Sequence, residues 1–338
     1  DESDNKILAA AISLREKGKD VIVVSRDLNM RIKCDGFGLE SHDYEIDKVV
    51  RSVDHLYTGV KEVLVTQEQI DEFYQKGKLN LKEEKKNLYP NEFVVLKADS
   101  DGKQSALSRN TEKGKIVPVT KHTDIWGMLP RNKEQQFALD LLFDSNIELV
   151  SLIGPAGTGK TLLATAAGLE QVLHSTSKNG GYNKLIITRP VQPMGRDIGF
   201  LPGSIDEKMA PWVAPIKDNL QFLFGDKTAL EMQIEQGTIE IEAMTYIRGR
   251  SIANAFIIVD EAQNLTMHEL KTIITRVGDN TKIVLTGDIQ QIDNVYVDAV
   301  SNGLTHAVEK FKEQKISGHI TLNKGERSTL ATLASEIL

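Results

Sequence analysis

The feature that most constrains this chain is one eight-residue stretch, Gly154-Pro155-Ala156-Gly157-Thr158-Gly159-Lys160-Thr161. It fits GxxxxGK[ST] at every constrained position, follows an apolar run of strand length at 147–153, and opens a helix from about Gly159. That strand–loop–helix context separates a phosphate cradle from a chance Gly-rich turn. The glycines let backbone N–H groups converge on phosphate oxygens without side chains in the way. The helix N-terminus behind them adds partial positive charge. Lys160 is expected to reach the β- and γ-phosphates, and the Thr161 hydroxyl to ligate Mg²⁺.

A second segment completes such a site. Ala255-Phe256-Ile257-Ile258-Val259-Asp260-Glu261 is an apolar strand ending in two carboxylates. Asp260 is expected to hold Mg²⁺ from the other side, and Glu261 to orient or deprotonate the attacking water. Leu285-Thr286-Gly287-Asp288-Ile289-Gln290-Gln291 also runs from a strand into a polar turn. There Asp288 or Gln291 could sense the γ-phosphate, or the segment could be a turn and nothing more. Thr188-Arg189-Pro190 ends another strand, and proline stops the ladder, leaving Arg189 at the active edge.

Upstream, Asn132 suits the cap of a helix over 136–143. Gln135 is placed to hydrogen-bond an adenine edge, which selects ATP over GTP, and no NKxD-like guanine-reading motif follows the loop. An arginine is needed against the charge that develops on the transferring phosphate. Arg248 and Arg250 in Tyr246-Ile247-Arg248-Gly249-Arg250, and Arg327 in Lys324-Gly325-Glu326-Arg327-Ser328, are the candidates, with surface salt bridging as the alternative.

The rest of the chain divides into three stretches. From 125 onward strand-like runs at 184–188, 239–244, 255–259, 282–286 and 319–322 alternate with helical patterns, which argues for a parallel sheet. Residues 51–124 carry short runs at 60–66, 92–97 and 116–119, separated by polar clusters such as Ala98-Asp99-Ser100-Asp101-Gly102-Lys103. A small β-rich module fits, either binding single strands as small β-barrels do or acting as an extended spacer. The scarcity of aromatics in the runs favours the spacer. Residues 1–50 read as helix, strand, helix: Asp4 opens the first helix, and Val21-Ile22-Val23-Val24 has the look of a strand buried on both faces. Asp27 follows at its C-terminal end, the edge at which open α/β sheets bind ligands. No strand precedes the first helix, so this stretch reads as the back half of an α/β domain.

Composition adds limits. A net charge of −7 rules out a grossly basic, histone-like protein, but a basic groove on an acidic whole is still compatible with nucleic acid. The single cysteine, Cys34, cannot form an internal disulfide, which points to a reducing cytoplasm and a packing role. No apolar run reaches the roughly 18 residues of a membrane span, and no leader pattern opens the chain.

Several of these motifs together resemble a known pattern. Asn132-xx-Gln135, the phosphate loop, Thr188-Arg189-Pro190, Asp260-Glu261-Ala262-Gln263-Asn264 and Gly287-Asp288-xx-Gln291 look like the ordered motifs of superfamily 1 helicases. Two further stretches are similar to the PhoH-like bacterial ATPases. One is Phe200-Leu201-Pro202-Gly203 with Glu207-Lys208-Met209, Pro211-Trp212 and Asp218-Asn219-Leu220; the other is Arg248-Gly249-Arg250-Ser251. The N-terminal stretch, with Asp4 before Ile7-Leu8-Ala9 and then Val23-Val24-Ser25-Arg26-Asp27, resembles the end of a PIN ribonuclease domain without its first strand and mid-domain acid. PIN domains gather carboxylates around Mg²⁺ or Mn²⁺ to cut RNA, which here implies Asp4 and Asp27 as metal ligands.

The resemblance implies an α/β fold. It comprises a RecA-like P-loop domain with a parallel sheet at 125–338, a β-rich module at 51–124 and a partial PIN domain at 1–50. The implied function is ATP-dependent RNA unwinding or remodelling, coupled in the complete protein to a ribonuclease. A nucleotide-driven scaffold and a DNA-directed ATPase are the alternatives. One P-loop and one Asp260-Glu261 pair per chain leave a second lobe to be supplied by a neighbour. This predicts a homo-oligomeric ring, a hexamer, with Arg250 or Arg327 reaching across.

Overall fold

The computed structural model describes residues 2–25, 27–42, 49–81, 87–99, 104–112, 114–174, 181–190, 205–247 and 251–325. The chain forms two compact units, Asp1–Val49 and Val50–Leu338.

The first unit holds α1 (Glu2–Glu16), β1 (Ile22–Val24), α2 (Leu28–Gly36) and β2 (Glu40–His42), with β1 and β2 paired in parallel. Leu8, Ala11, Val23, Met30, Cys34 and Leu39 make its core. Burial pushes the Cys34 thiol above its ordinary value, which suits the packing role. The expectation of a strand buried on both faces is corrected: Val23 is buried, but Ile22 is 50% and Val24 55% exposed. The reason is local, since the helices of this small sheet cover only the Val23 face.

In the second unit β3 (Val60–Val65), α3 (Gln67–Lys76), β4 (Leu79–Asn80), β5 (Phe93–Ala98), β6 (Ser105–Glu112) and β7 (Lys115–Pro118) come first. Their sheet has the order β3-β5-β6-β7-β4, with only the β3–β5 pair parallel. This is not the extended spacer that the sequence favoured. Strand β5 is buried on both faces: Val94 and Leu96 join Ile70 and Phe73 of α3. Phe93 and Val95 enter the core around the next helix, α4 (Lys133–Phe143). Phe93 stacks on Phe137 at 4.3 Å between ring centroids. Arg109 of β6 sits between Asp140 at 3.1 Å and Asp144 at 2.5 Å. Removing the arginine would leave two largely buried carboxylates without their cation, at a cost of about 3–5 kcal/mol.

The remaining elements are β8 (Leu149–Ile153), α5 (Lys160–Leu169), β9 (Lys184–Arg189), α6 (Ile205–Phe224), α7 (Lys227–Glu235), β10 (Ile239–Ala243) and α8 (Met244–Ile247). They are followed by β11 (Ala255–Val259), α9 (Met267–Ile274), β12 (Lys282–Gly287), α10 (Gly303–Phe311) and β13 (Ser317–Thr321). Their six strands run parallel in the order β10-β9-β11-β12-β8-β13. The central strands β8, β11 and β12 are buried at every residue, as a sheet with helices on both faces requires. Lys282 is fully buried at the start of β12 and donates to the carbonyls of Leu141, Asp144 and Ile147, at the end of α4 and in the turn that leads to β8. The outer edge of β13 is covered as well, because Thr321 N donates to Thr58 O at 3.0 Å. That closes an edge which would otherwise pair with other chains.

Candidate active site

The ends of three neighbouring strands, β8, β11 and β12, converge on one cleft. It has a volume of about 250 Å³ and is lined by Gly159, Lys160, Thr161, Asp260, Glu261 and Gln291 among others. It lies at the C-terminal edge of the parallel sheet, where strands point their last residues at a common space.

The loop after β8 is built for close approach. A Cβ on Gly154 would collide with the Leu322 carbonyl. Gly159 caps α5 at φ +89°, a left-handed conformation that costs glycine little. Lys160 is buried, and its ammonium donates to Gly154 O at 2.5 Å and Pro155 O at 2.9 Å. The loop is therefore wrapped around its own lysine.

Asp260, which follows β11, is the hub of the cleft. Its Oδ1 accepts from Thr161 Oγ1 at 2.7 Å and from Thr286 Oγ1 at 2.6 Å. Sequence reasoning named the first of these and passed over Thr286, whose hydroxyl lies on the strand between β8 and β11. Glu261, the next residue, adopts φ +53°, a left-handed conformation that costs a non-glycine residue about 1–2 kcal/mol. Its Oε1 accepts from Arg189 Nη2 at 3.2 Å, and its Oε2 from Gln263 Nε2 at 2.6 Å.

Gln263 is the residue that sequence reasoning missed most plainly. It is fully buried, donates also to Gln291 O at 2.8 Å, and accepts from Asp288 N at 3.1 Å. Asp288 in turn accepts from Ala156 N of the phosphate loop at 3.1 Å through Oδ2. A continuous hydrogen-bonded path thus runs from Glu261 through Gln263 and Asp288 to the cradle. The segment after β12 is more than a turn, because its backbone and side chains complete this path. A signal was present in the sequence: a glutamine two positions after the carboxylate pair, directly behind the apolar strand 255–259.

Gln135 is 5% exposed. It donates through Nε2 to Thr158 O at 3.1 Å and accepts through Oε1 from Arg131 N at 2.8 Å. Asn132 caps α4 by accepting from Gln135 N at 2.9 Å. Asn219 of α6 adds a further polar group to the cleft wall. Arg248, Arg250 and Arg327 lie outside the described residues, as does 200–203.

In the first unit, Asp4 pairs with Lys33 at 3.2 Å. Asp27 caps α2, accepting from Asn29 N at 2.7 Å and Met30 N at 3.4 Å. Each carboxylate thus has a structural role. Among the described residues no cluster of three or more His, Cys, Asp or Glu side chains could hold a metal ion, and no helix is long and apolar enough to cross a membrane.

Comparison with known proteins agrees with the cleft. Residues 128–337 match the PhoH-like protein family and residues 1–45 the PIN domain. The chain is 47% identical over 348 residues to Protein PhoH2 of Bacillus subtilis (strain 168), covering 99% of this chain and 78% of that protein. It is 37% identical over 339 residues to Protein PhoH2 of Mycolicibacterium smegmatis, covering 100% of this chain and 75% of the relative. Protein PhoH of Escherichia coli (strain K12) is 37% identical over 201 residues, 58% of this chain and 53% of that one. With this cleft and these matches, the chain belongs to the PhoH-like protein family, as a nucleotide-hydrolysing P-loop enzyme that also carries a PIN-domain segment.

Proposed function

We propose that the chain couples Mg²⁺-dependent ATP hydrolysis to the unwinding or remodelling of RNA, and that in the complete protein this motor serves a PIN ribonuclease. The observation that carries the proposal is the pair of hydroxyls, Thr161 and Thr286, gathered on Asp260 Oδ1 at 2.7 and 2.6 Å beside the phosphate loop. A carboxylate and a hydroxyl so close together form an all-oxygen donor set, which suits a hard cation that keeps several waters. Thr161 and Asp260 would hold that ion, which when bound neutralises charge on the phosphate oxygens.

The chain's own groups divide the remaining tasks. Lys160 exchanges its two loop carbonyls for phosphate oxygens. The amides from Gly157 to Thr161 cradle the chain of phosphates. Glu261 holds the attacking water and takes its proton, with Gln291 beside it. Gln135 reads the adenine edge, or steadies Thr158 while the loop reads the phosphates. The PIN-domain segment supports RNA as the polymer acted upon, and Asp4 and Asp27 would contribute to a Mg²⁺ or Mn²⁺ site in the complete domain.

A ring of subunits, a hexamer, fits a chain with one phosphate loop, with Arg250 or Arg327 of one subunit facing the neighbour's nucleotide. The test is steady-state ATP turnover with single-stranded RNA, with DNA and with neither, alongside strand displacement. Stimulation by RNA with displacement supports the motor. Turnover insensitive to both polymers would instead mean a nucleotide-driven switch that regulates RNA decay, and a response to DNA alone would move the substrate.

A further inference from the structure

Glu261 must accept a proton from water, yet each of its carboxylate oxygens already holds a protein donor. Gln263 occupies Oε2 at 2.6 Å from the same segment, and Arg189 occupies Oε1 at 3.2 Å from the end of the neighbouring strand β9. The two contacts differ in kind. The Gln263 amide is fully buried and held by Gln291 and Asp288, so it is part of the scaffold. The Arg189 contact is long and made by one nitrogen, and its side chains are 25% and 31% exposed. Among the described residues, Glu261 is the one carboxylate paired with Arg189.

We propose that Arg189 is a positioning residue that holds Glu261 away from the attacking water until a polynucleotide phosphate takes the guanidinium in its place. The chemistry favours the exchange. A guanidinium presents a planar fork that matches two phosphate oxygens at once, whereas Glu261 receives a single bond from it. Arg189 stands at the C-terminal edge of the sheet, the side on which ligands of open α/β sheets bind. A partly exposed ion pair is worth no more than about 1 kcal/mol, so a bidentate phosphate contact outcompetes it. When Arg189 leaves, Oε1 becomes available to water while Gln263 continues to aim the carboxylate. ATP turnover thereby becomes conditional on a bound strand. This inference rests on the nucleic-acid reading above for the identity of the trigger, and on the Arg189–Glu261 geometry alone for the hold.

The test uses the full chain and its Arg189→Gln and Arg189→Lys variants, with melting temperatures to confirm folding. ATP turnover is measured without polymer and with saturating poly-uridylate, and with a single-stranded DNA of the same length. The expected result for Arg189→Gln is a polymer-independent kcat raised about two- to fivefold, the factor corresponding to the loss of an ion pair of up to about 1 kcal/mol. KM for ATP stays unchanged, and stimulation by poly-uridylate falls to about onefold. Arg189→Lys keeps part of the stimulation, because one cation remains but the fork is gone. An unchanged basal rate with full stimulation in a folded Arg189→Gln would overturn the proposal. So would collapse of both rates, which would make Arg189 a direct participant in the chemistry. A wild-type rate indifferent to both polymers would overturn the phosphate trigger together with the motor reading, and the basal rate of Arg189→Gln would still judge the hold on Glu261.

Discussion

The Thr161 hydroxyl donates to Asp260 Oδ1 at 2.7 Å although the strands that present them, β8 and β11, are not neighbours. Strand β12 lies between them, so about 9–10 Å of sheet separates their ends. Helix α5 closes that gap by carrying Thr161 forward on its first turn, and Thr286 of β12 fills the middle. This division of labour makes separable predictions. Lys160→Ala is expected to abolish nucleotide binding, because the ammonium is the charged group of the cradle. Glu261→Gln is expected to bind ATP as the wild type does while kcat falls about 10²–10³-fold, the usual cost of removing one preorganised catalytic contact. Fluorescent-nucleotide binding and single-turnover hydrolysis separate the two effects. Near-normal turnover in Glu261→Gln would reassign the base to Asp288, with Gln291 left to orient the water.

Asp288 ties the segment after β12 to the phosphate loop through Ala156 N. A hydrogen bond to a charged group contributes about 1.5–3 kcal/mol. Asp288→Ala is therefore expected to raise KM for ATP at least about tenfold, with a smaller change in kcat. An unchanged KM would mean that the loop keeps its shape without this tether.

His319 lies fully buried on β13, its Nδ1 facing Ser151 and its Nε2 facing the Thr321 hydroxyl. Burial pushes the imidazole down to about 3. The unfolded chain therefore binds a proton between roughly pH 6.5 and 3 that the folded chain refuses, so stability must fall as pH drops through that window. The slope from this one group is at most about 1.4 kcal/mol per pH unit. Urea midpoints at pH 7 and pH 5 are expected to differ less in His319→Asn than in the wild type. Equal differences would assign the acid sensitivity to other groups.

Asparagine caps helices as well as aspartate does, so Asp27→Asn keeps the α2 cap and removes only the charge. The present chain is expected to leave single-stranded RNA intact with Mn²⁺ or Mg²⁺, since Asp4 and Asp27 alone leave most of a divalent ion's shell to water. A form with the whole PIN domain is expected to cut, and its Asp27→Asn variant to lose that activity with an unchanged melting temperature. Robust cutting by the present chain, lost in Asp27→Asn, would contradict this. A complete form that fails to cut would remove the nuclease reading.

The ring predicts that light scattering with ATP and RNA detects an assembly near six chains. A monomer under every condition would remove it and favour the switch.

How much of this was legible in the sequence follows from which forces act locally. The β8 loop and the Asp260-Glu261 strand end were readable because their chemistry needs fixed spacing within a few residues. Strand β6 was not, because its inward-facing Ser108 and Asn110 are polar, and their hydroxyl and amide donate to carbonyls in other segments, Val94 O and Tyr89 O. Helix α3 carried a capping box at Thr66 and Gln69 that a search for strands passed over. The middle stretch looked like a spacer because its large partner, Phe137, belongs to another element. Gln263 escaped for the same reason, since its three partners come from two different segments.

Helix α4 has one more consequence. Its flank is gripped by the preceding sheet through Phe137, Asp140 and Asp144, while Gln135 in its first turn touches the nucleotide loop at Thr158. Eleven residues at 1.5 Å each make a stiff rod about 16 Å long. Such a rod has little give, so a push on the sheet arrives at the loop as displacement rather than as heat in a soft hinge. Any load that this sheet bears would be felt where the phosphates sit, and tightening around the phosphates would be felt in return by whatever the sheet holds.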